Sequence, residues 1–171
     1  MAKPTLVALR DRAARTFRAM RAVWLRKVWG MDLGKEVIIS LKANLDKSNP
    51  HGIHIGDYST VTFDAVVLAH DYLNNKHADT RIGKYCYIGA RSIIMPGVTI
   101  GDHCIVGTAS VVMKDVPSNS LVVGNPARVM ETGLQTGRYG MRLEAVAPSD
   151  MAELPEELQN KALSASVARS N

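Results

Sequence analysis

Large aromatic side chains are scarce in this chain: two Phe and two Trp among 171 residues. That argues against a core built on rings and suits a narrow core filled with aliphatics. Cysteine is as scarce, Cys86 and Cys104 only. Two thiols make no disulfide framework. They stand 18 residues apart at equivalent places of a repeat, so both are expected to stack inward as free, buried thiols. No apolar run is long enough to read as a signal peptide or a membrane span. The cytoplasm is therefore the expected compartment. His51 and His54 lie three apart, but no Cys or third His is near in sequence, so no metal is expected there. Charged residues are 22% and hydrophobics 46%, ordinary values for a soluble protein. At this length the chain reads as one domain with tails.

What is present is a repeat of six. Ile82-Gly-Lys-Tyr-Cys86-Tyr is followed by sixes opening at Ile88, Ile94, Ile100, Val106 and Val112, without a slip to Pro117. Each opens with Ile or Val and carries Cys, Ser or Val four places on. Strand side chains alternate faces, so the small residue of one six and the aliphatic of the next both point inward. Gly follows the aliphatic in four of the six, where a tight corner suits it. Three such strands close a triangular coil of 18 residues, and coils stack into an all-β solenoid. A sandwich of short strands would not keep this phase. The same phase runs through Ile55, Val61 and Val67, and more loosely from Val37 and Leu41 through Ala43 and Ile53. About four coils are expected, 37–54, 55–72, 82–99 and 100–117, with the loop 73–81 thrown out between the second and third.

The flanks are read as separate segments: 1–35 a basic helical segment, 36–127 the solenoid, 128–171 an extension. Residues 1–30 hold eight Lys and Arg against Asp11. Their net of +7, against +5 for the whole chain, leaves −2 for the rest. Leu6, Leu9, Ala13, Phe17, Met20, Trp24 and Val28 form one apolar stripe at helical spacing. Packing is expected for 20–29 and a basic arm for 5–19, with peripheral contact to an anionic membrane surface as its role. No recognition motif accompanies the charge, so nucleic acid is not an expected partner. A short helical tail is expected over 149–163, with Met151, Leu154, Leu158 and Leu163 as a weak stripe.

One histidine stands out. His70 is the fourth residue of its six, pointing away from the core, immediately before the out-of-phase loop. Insertions are where solenoids build their pockets. A neutral imidazole there suits general-base chemistry. Asp71 beside it, His77 in the loop, and Asn44, Asp46 and Asn49 of the first coil are the candidate residues for holding a polar substrate. His103 is read as outward-facing surface. Lys114 and Arg128 are fixed cations near the solenoid's end, suited to phosphates.

With the repeats, the His beside the loop, and Val112-Met-Lys114-Asp-Val-Pro…Gly124-Asn-Pro-Ala-Arg128 in view, the chain resembles the hexapeptide-repeat acyltransferases. Within them it is most similar to the galactoside, maltose and polysaccharide O-acetyltransferase branch, over about residues 37–130. The resemblance implies a left-handed parallel β-helix, a homotrimer with active sites between subunits, and acetyl-CoA as donor without a metal. It matches the catalytic His to His70 and the CoA-binding positions to Ala90, Thr108, Met113, Lys114 and Arg128. Met113 replaces a usual Thr, Glu131 stands where some relatives carry a second basic residue, and Tyr87 stands at a frequent Trp. The implied reaction is acetyl transfer to a saccharide hydroxyl by direct attack, with N-acetylation of an amino sugar as the nearest alternative. A zinc hydratase of the γ-carbonic anhydrase type, using His70, His77 and His103, and a non-catalytic scaffold are the readings from other classes.

Overall fold

The computed structural model describes residues 16, 17, 20–146, 154, 156 and 158–160. Two- and three-residue strands dominate. They are β1 (Asp32–Leu33), β2 (Ile38–Ile39), β3 (Asn44–Leu45), β4 (Ile53–Ile55), β5 (Thr60–Val61), β6 (Val66–Val67), β7 (His70–Asp71), β8 (Lys76–His77), β9 (Thr80–Ile82), β10 (Tyr87–Ile88), β11 (Ile93–Ile94), β12 (Thr99–Ile100), β13 (Ile105–Val106), β14 (Val111–Val112), β15 (Ser120–Gly124) and β16 (Ala127–Thr132). Apart from the hairpins β7-β8 and β15-β16, consecutive strands fall on different sheets. The first sheet is β1-β4-β9-β12 and the third is β3-β6-β11-β14. The second is β2-β5-β10-β13-β15, with β16 antiparallel on its edge. Pairing within the solenoid is otherwise parallel.

The core is the column where the three sheets' inward residues meet. Ile39, Val61, Ile88 and Val106 from the second sheet and Val67 and Ile94 from the third are fully buried. Burying each such side chain is worth roughly 1.5–3 kcal/mol. Cys86 and Cys104 are buried and free, as expected. The hydrogen bond between the two thiols, together with burial, pushes the Cys86 thiol up and keeps it protonated.

The coil period is legible in the register. Ile39 pairs with Val61, Val61 with Ile88, and Ile88 with Val106, steps of 22, 27 and 18 residues. The step of 27 contains the nine extra residues of the loop. The step of 22 contains four extra residues between β3 and β4, and these shift the phase of the first coil. Its inward aliphatics are Leu33, Ile39 and Leu45, while Leu41, expected in phase, is 61% exposed. The first rung also lies earlier than the expected start at 36, on Asp32–Leu33.

Glycine's role differs from the expected one. The left-handed corner residue in these repeats is not the Gly but the fourth residue, as at Tyr58, Asp64, Tyr85, Arg91, His103 and Ala109, with φ between 56° and 58°. The Gly is needed for clearance between coils. A Cβ on Gly89 would come within 2.6 Å of the Val106 carbonyl oxygen.

The N-terminal helix, over 20–28, sits on the first coil with a rotation the stripe does not foretell. Ala22 and Leu25 are buried, whereas Met20, Trp24 and Val28 are 51%, 46% and 63% exposed, and Phe17 is exposed as well. Two arginines set the rotation. Arg21 donates to the carbonyls of Leu41 and Ala43, at 2.6 and 2.8 Å. Arg26 donates to those of Leu33 and Gly34, at 3.0 and 2.7 Å. They satisfy carbonyls at the open end of the solenoid, which has no earlier coil to bond them.

At the other end the chain turns back. Leu134 N–H bonds Asn119, and Tyr139 N–H bonds Tyr58. Residues 134–142 thus cover the corner between the first and second sheets. Beneath them Tyr58, Tyr85 and His103 stack, with centroids 5.3 and 5.1 Å apart. His103 is therefore not open surface: its Nδ1 lies 2.8 Å from the Thr136 carbonyl oxygen. Leu154 and Leu158 are buried in a small cluster with Leu143 and Val146. Residues 156 and 158–160 are helical, and the rest of the expected 149–163 tail lies outside the described residues.

Candidate active site

The third sheet and its two corners carry most of the candidate residues. Its exit corner begins at Leu68, whose N–H bonds Ile94; the Met95 N–H bonds Val112 in turn. This stacks Leu68-Ala69-His70 below Met95 and Met113-Lys114. The entry corner stacks Ala90 below Thr108 and Ala109, through a 2.8 Å bond from Ala109 N–H to the Ala90 carbonyl. The Gly124 N–H bonds Ser110 Oγ at 3.0 Å, which brings the Gly-Asn-Pro turn onto the same corner. Arg128 follows on β16 opposite Val123. The five expected CoA residues therefore flank one sheet. Ala90 is buried; Thr108, Met113, Lys114 and Arg128 are exposed. Glu131, in the place of a basic residue, accepts two hydrogen bonds from Arg142, at 2.7 and 3.0 Å.

After His70 the chain leaves the solenoid as a hairpin. β7 and β8 pair antiparallel, with His70 opposite His77 and Asp71 opposite Lys76. His77 stands across the hairpin from His70: their rings cross edge-to-face, 5.1 Å between centroids. Tyr72, which the sequence reading passed over, presents its ring 6.2 Å from His70 and is 84% exposed. Its signal was an aromatic two residues after the histidine, at the loop's start.

The carboxylates near His70 are occupied. Asp71 accepts from Asn74 N–H at 3.1 Å and Asn74 Nδ2 at 2.6 Å, closing the hairpin turn. These bonds hold its carboxyl below the usual range. Asp46 accepts from Ser48 N–H at 2.8 Å and Ala69 N–H at 3.0 Å. Burial alone would raise its carboxyl; the backbone N–H groups of Ala69, Ser48 and His70 more than offset that and lower it. Asn44 lies on the outer face of the third sheet, opposite Val66. At its far end the loop is tied to the first sheet. Asp79 holds Arg81 at 2.6 Å and faces His54 Nε2 at 3.4 Å, while His54 Nδ1 bonds Asp32 at 2.9 Å. His54 is thus held between the carboxylates of Asp32 and Asp79. The trio His70, His77 and His103 is not gathered, since His103 is held in its stack. No group of three potential metal ligands occurs among the described residues.

The chemistry available is that of a half-buried imidazole on a tied-down hairpin, beside a sheet flanked by cations. Known proteins share this frame. The family model for bacterial transferase hexapeptide repeats matches residues 79–114. YvoF of Bacillus subtilis is 35% identical over 112 residues, 64% of this chain and 65% of that protein, so the match spans just under two thirds of it. Protein CapG of Staphylococcus aureus is 39% identical over 120 residues, 63% of this chain and 69% of that protein. Among solved structures, a maltose O-acetyltransferase from Clostridium difficile has a TM-score of 0.53 at 28% identity, covering 66% of this chain and 74% of that one. A hexapeptide-repeat acetyltransferase from Vibrio cholerae, in complex with acetyl-CoA, has a TM-score of 0.50 at 26% identity, covering 67% and 76%. The three-sheeted prism is accordingly the left-handed parallel β-helix that the resemblance implies, and the chain belongs to the bacterial hexapeptide-repeat transferase family.

Proposed function

We propose that this chain is an acetyl-CoA-dependent acetyltransferase that acetylates a hydroxyl of a saccharide, with His70 as general base. The observation that carries the reading is the position of His70, at the corner where the repeat opens into a hairpin, beside a sheet flanked by exposed Lys114 and Arg128. The acetyltransferase names of the two solved relatives and the acetyl-CoA in one of them support it.

A sugar hydroxyl is too weak an acid to attack a thioester unaided at neutral pH. The neutral His70 imidazole takes its proton as the oxygen bonds to the thioester carbonyl carbon. The resulting oxyanion accepts a backbone N–H, with that near Ala90 as the candidate. Collapse expels the CoA thiolate, which regains the proton from the imidazolium. Such a base contributes roughly 10²–10⁴-fold. Neither Cys86 nor Cys104 is accessible for a covalent acetyl-enzyme. Lys114 and Arg128 pair with CoA phosphates, Ala90, Thr108 and Met113 line the pantetheine, and Asn44, His77 and Tyr72 face the acceptor.

The active unit in this proposal is a homotrimer with sites between subunits. The exposed Phe17, Met20, Trp24, Val28, Leu41 and Phe63 supply apolar surface for a neighbour to bury. Among the described residues no helix is long and apolar enough to cross a membrane. Arg21 and Arg26 are committed to backbone carbonyls, so the contact with anionic lipid is assigned in this proposal to the basic arm 5–19, of which only residues 16 and 17 are described. The proposed setting is the cytoplasm.

The test is CoA release from acetyl-CoA over a panel of neutral sugars, amino sugars, nucleotide sugars and lipid-linked glycans. Turnover that yields an alkali-labile acetyl ester is expected. An alkali-stable N-acetyl product would move the reading to amino sugars, and no release with any acceptor would overturn it.

A further inference from the structure

The four extra residues of the first coil lie between β3 and β4, and two polar side chains of this segment, Asp46 and Asn49, are spent on one residue, Ala69. Asp46 Oδ2 accepts the Ala69 N–H at 3.0 Å, while Oδ1 accepts the Ser48 N–H at 2.8 Å and so holds the carboxylate in place. Asn49 Nδ2 donates to the Ala69 carbonyl at 2.9 Å, and Ala78 N–H donates to the same oxygen at 3.0 Å. Ala69 is fully buried. Gly52 leaves the room this requires: a Cβ there would come within 2.3 Å of Asn49 Nδ2. One rung later the corresponding residue is Pro96, which has no N–H to be held, and the next N–H, that of Gly97, bonds Thr80 Oγ1 at 3.0 Å.

We propose that Asp46 and Asn49 are positioning residues that clamp Ala69, the residue on the N-terminal side of His70, fixing where the imidazole stands rather than binding the acceptor. The inference rests on the reading of His70 as the general base. The chain must abandon the regular six-residue corner here to throw out the hairpin. Its departing backbone therefore loses the ladder bonds that hold other corners. A carboxylate and a carboxamide replace them, one on the N–H and one on the C=O of the same residue. Their effect on rate comes through geometry, because a base displaced by about 1 Å can lose on the order of 10²-fold.

The experiment compares Asp46→Asn, Asp46→Ala, Asn49→Ala, His70→Ala and Asp46→Ala/His70→Ala. Steady-state kinetics are paired with amide hydrogen exchange at Ala69 and His70. The expected result is a 10- to 100-fold fall in kcat for Asp46→Ala, a smaller fall for Asp46→Asn, and KM for acetyl-CoA and acceptor within about twofold. Exchange at Ala69 should quicken in both Asp46 variants. The double variant should be no slower than His70→Ala alone, because a positioning residue has nothing left to position. An Asp46 variant that raises acceptor KM at unchanged kcat, or losses that multiply in the double variant, would overturn the proposal. So would unchanged exchange at Ala69. If Asp46→Ala does not fold, Asp46→Asn carries the same readouts. Near-normal turnover by His70→Ala would instead overturn the general-base reading, while the exchange data would still decide whether the clamp exists.

Discussion

Residues 82–117 and residues 44–81 are built on the same rule and use it differently. In the first stretch every six keeps phase, β10 to β14 stack at a constant 18-residue step, and inward Ile and Val fill the column. In the second stretch the rule is broken twice, by four residues after β3 and by nine after β6. Both breaks converge on Ala69-His70, one as a clamp and one as a hairpin. The regular coils form a stiff ruler whose corners can flank a long cofactor. The proposed general base, His70, stands where the ruler is interrupted. In the proposed reading, regularity serves stability and length, and departure from it serves chemistry.

The sharpest way to break this comparison is to repair the interruption. Excising residues 73–81 leaves Val67-Leu-Ala-His70-Asp-Tyr72 as an in-phase six joined to Ile82. A folded solenoid is expected, with its parallel-sheet circular dichroism retained, and acetyl transfer reduced by at least about 10²-fold although His70 remains. Activity near that of the parent would show that the hairpin is decoration.

The converse change attacks the ruler. Ile88→Ala removes a fully buried side chain from the centre of the second sheet, which should cost about 2–5 kcal/mol of stability. Chemical denaturation would measure it. Below the unfolding transition, kcat should stay within a few-fold of the parent.

This division also marks what was legible in the sequence. The strict sixes from Ile82 onward disclosed the coil, its inward residues and the buried thiols, because a period of six admits few other structures. The first coil was misread because four inserted residues move the inward set from Leu41 to Leu45 without a visible break. The helix stripe identified an amphipathic segment but not its rotation. That is set by Arg21 and Arg26 reaching carbonyls some 20 and 8 residues away in sequence. His103 looked free because the segment that covers it, 134–142, has no period of its own. Of the site, His70 and its neighbour His77 could be read from position. The engagement of Asp46 with Ala69 could not, because it joins residues 23 apart across two insertions.

A smaller effect is expected from the cations on the regular part. Lys114→Ala and Arg128→Ala should each raise KM for acetyl-CoA several-fold and leave acceptor KM nearly unchanged. With acetyl-pantetheine, which lacks the nucleotide phosphates, the parent and both variants should perform alike. Equal use of acetyl-CoA and acetyl-pantetheine by the parent would count against the phosphate contacts.

The smallest expected effect is on acid stability. The Asp46 carboxyl is lowered in the folded chain, so its stabilising share is present above the ordinary aspartate value of about 3.9. That share is lost as pH falls through the lower folded-state value. Thermal melts of the parent and Asp46→Asn from neutral pH down to pH 2 should therefore differ at neutral pH and converge below pH 4. A difference that persists undiminished at the acid end would assign it to shape rather than charge.

The central claim, that the reacting group is the imidazole at the interruption, is tested most directly by the turnover of His70→Ala with saturating acetyl-CoA and an accepted saccharide. The account predicts a fall in kcat of at least about 10²-fold with acetyl-CoA affinity, measured by calorimetry, within twofold of the parent. Turnover within a few-fold of the parent, at equal affinity, would contradict it.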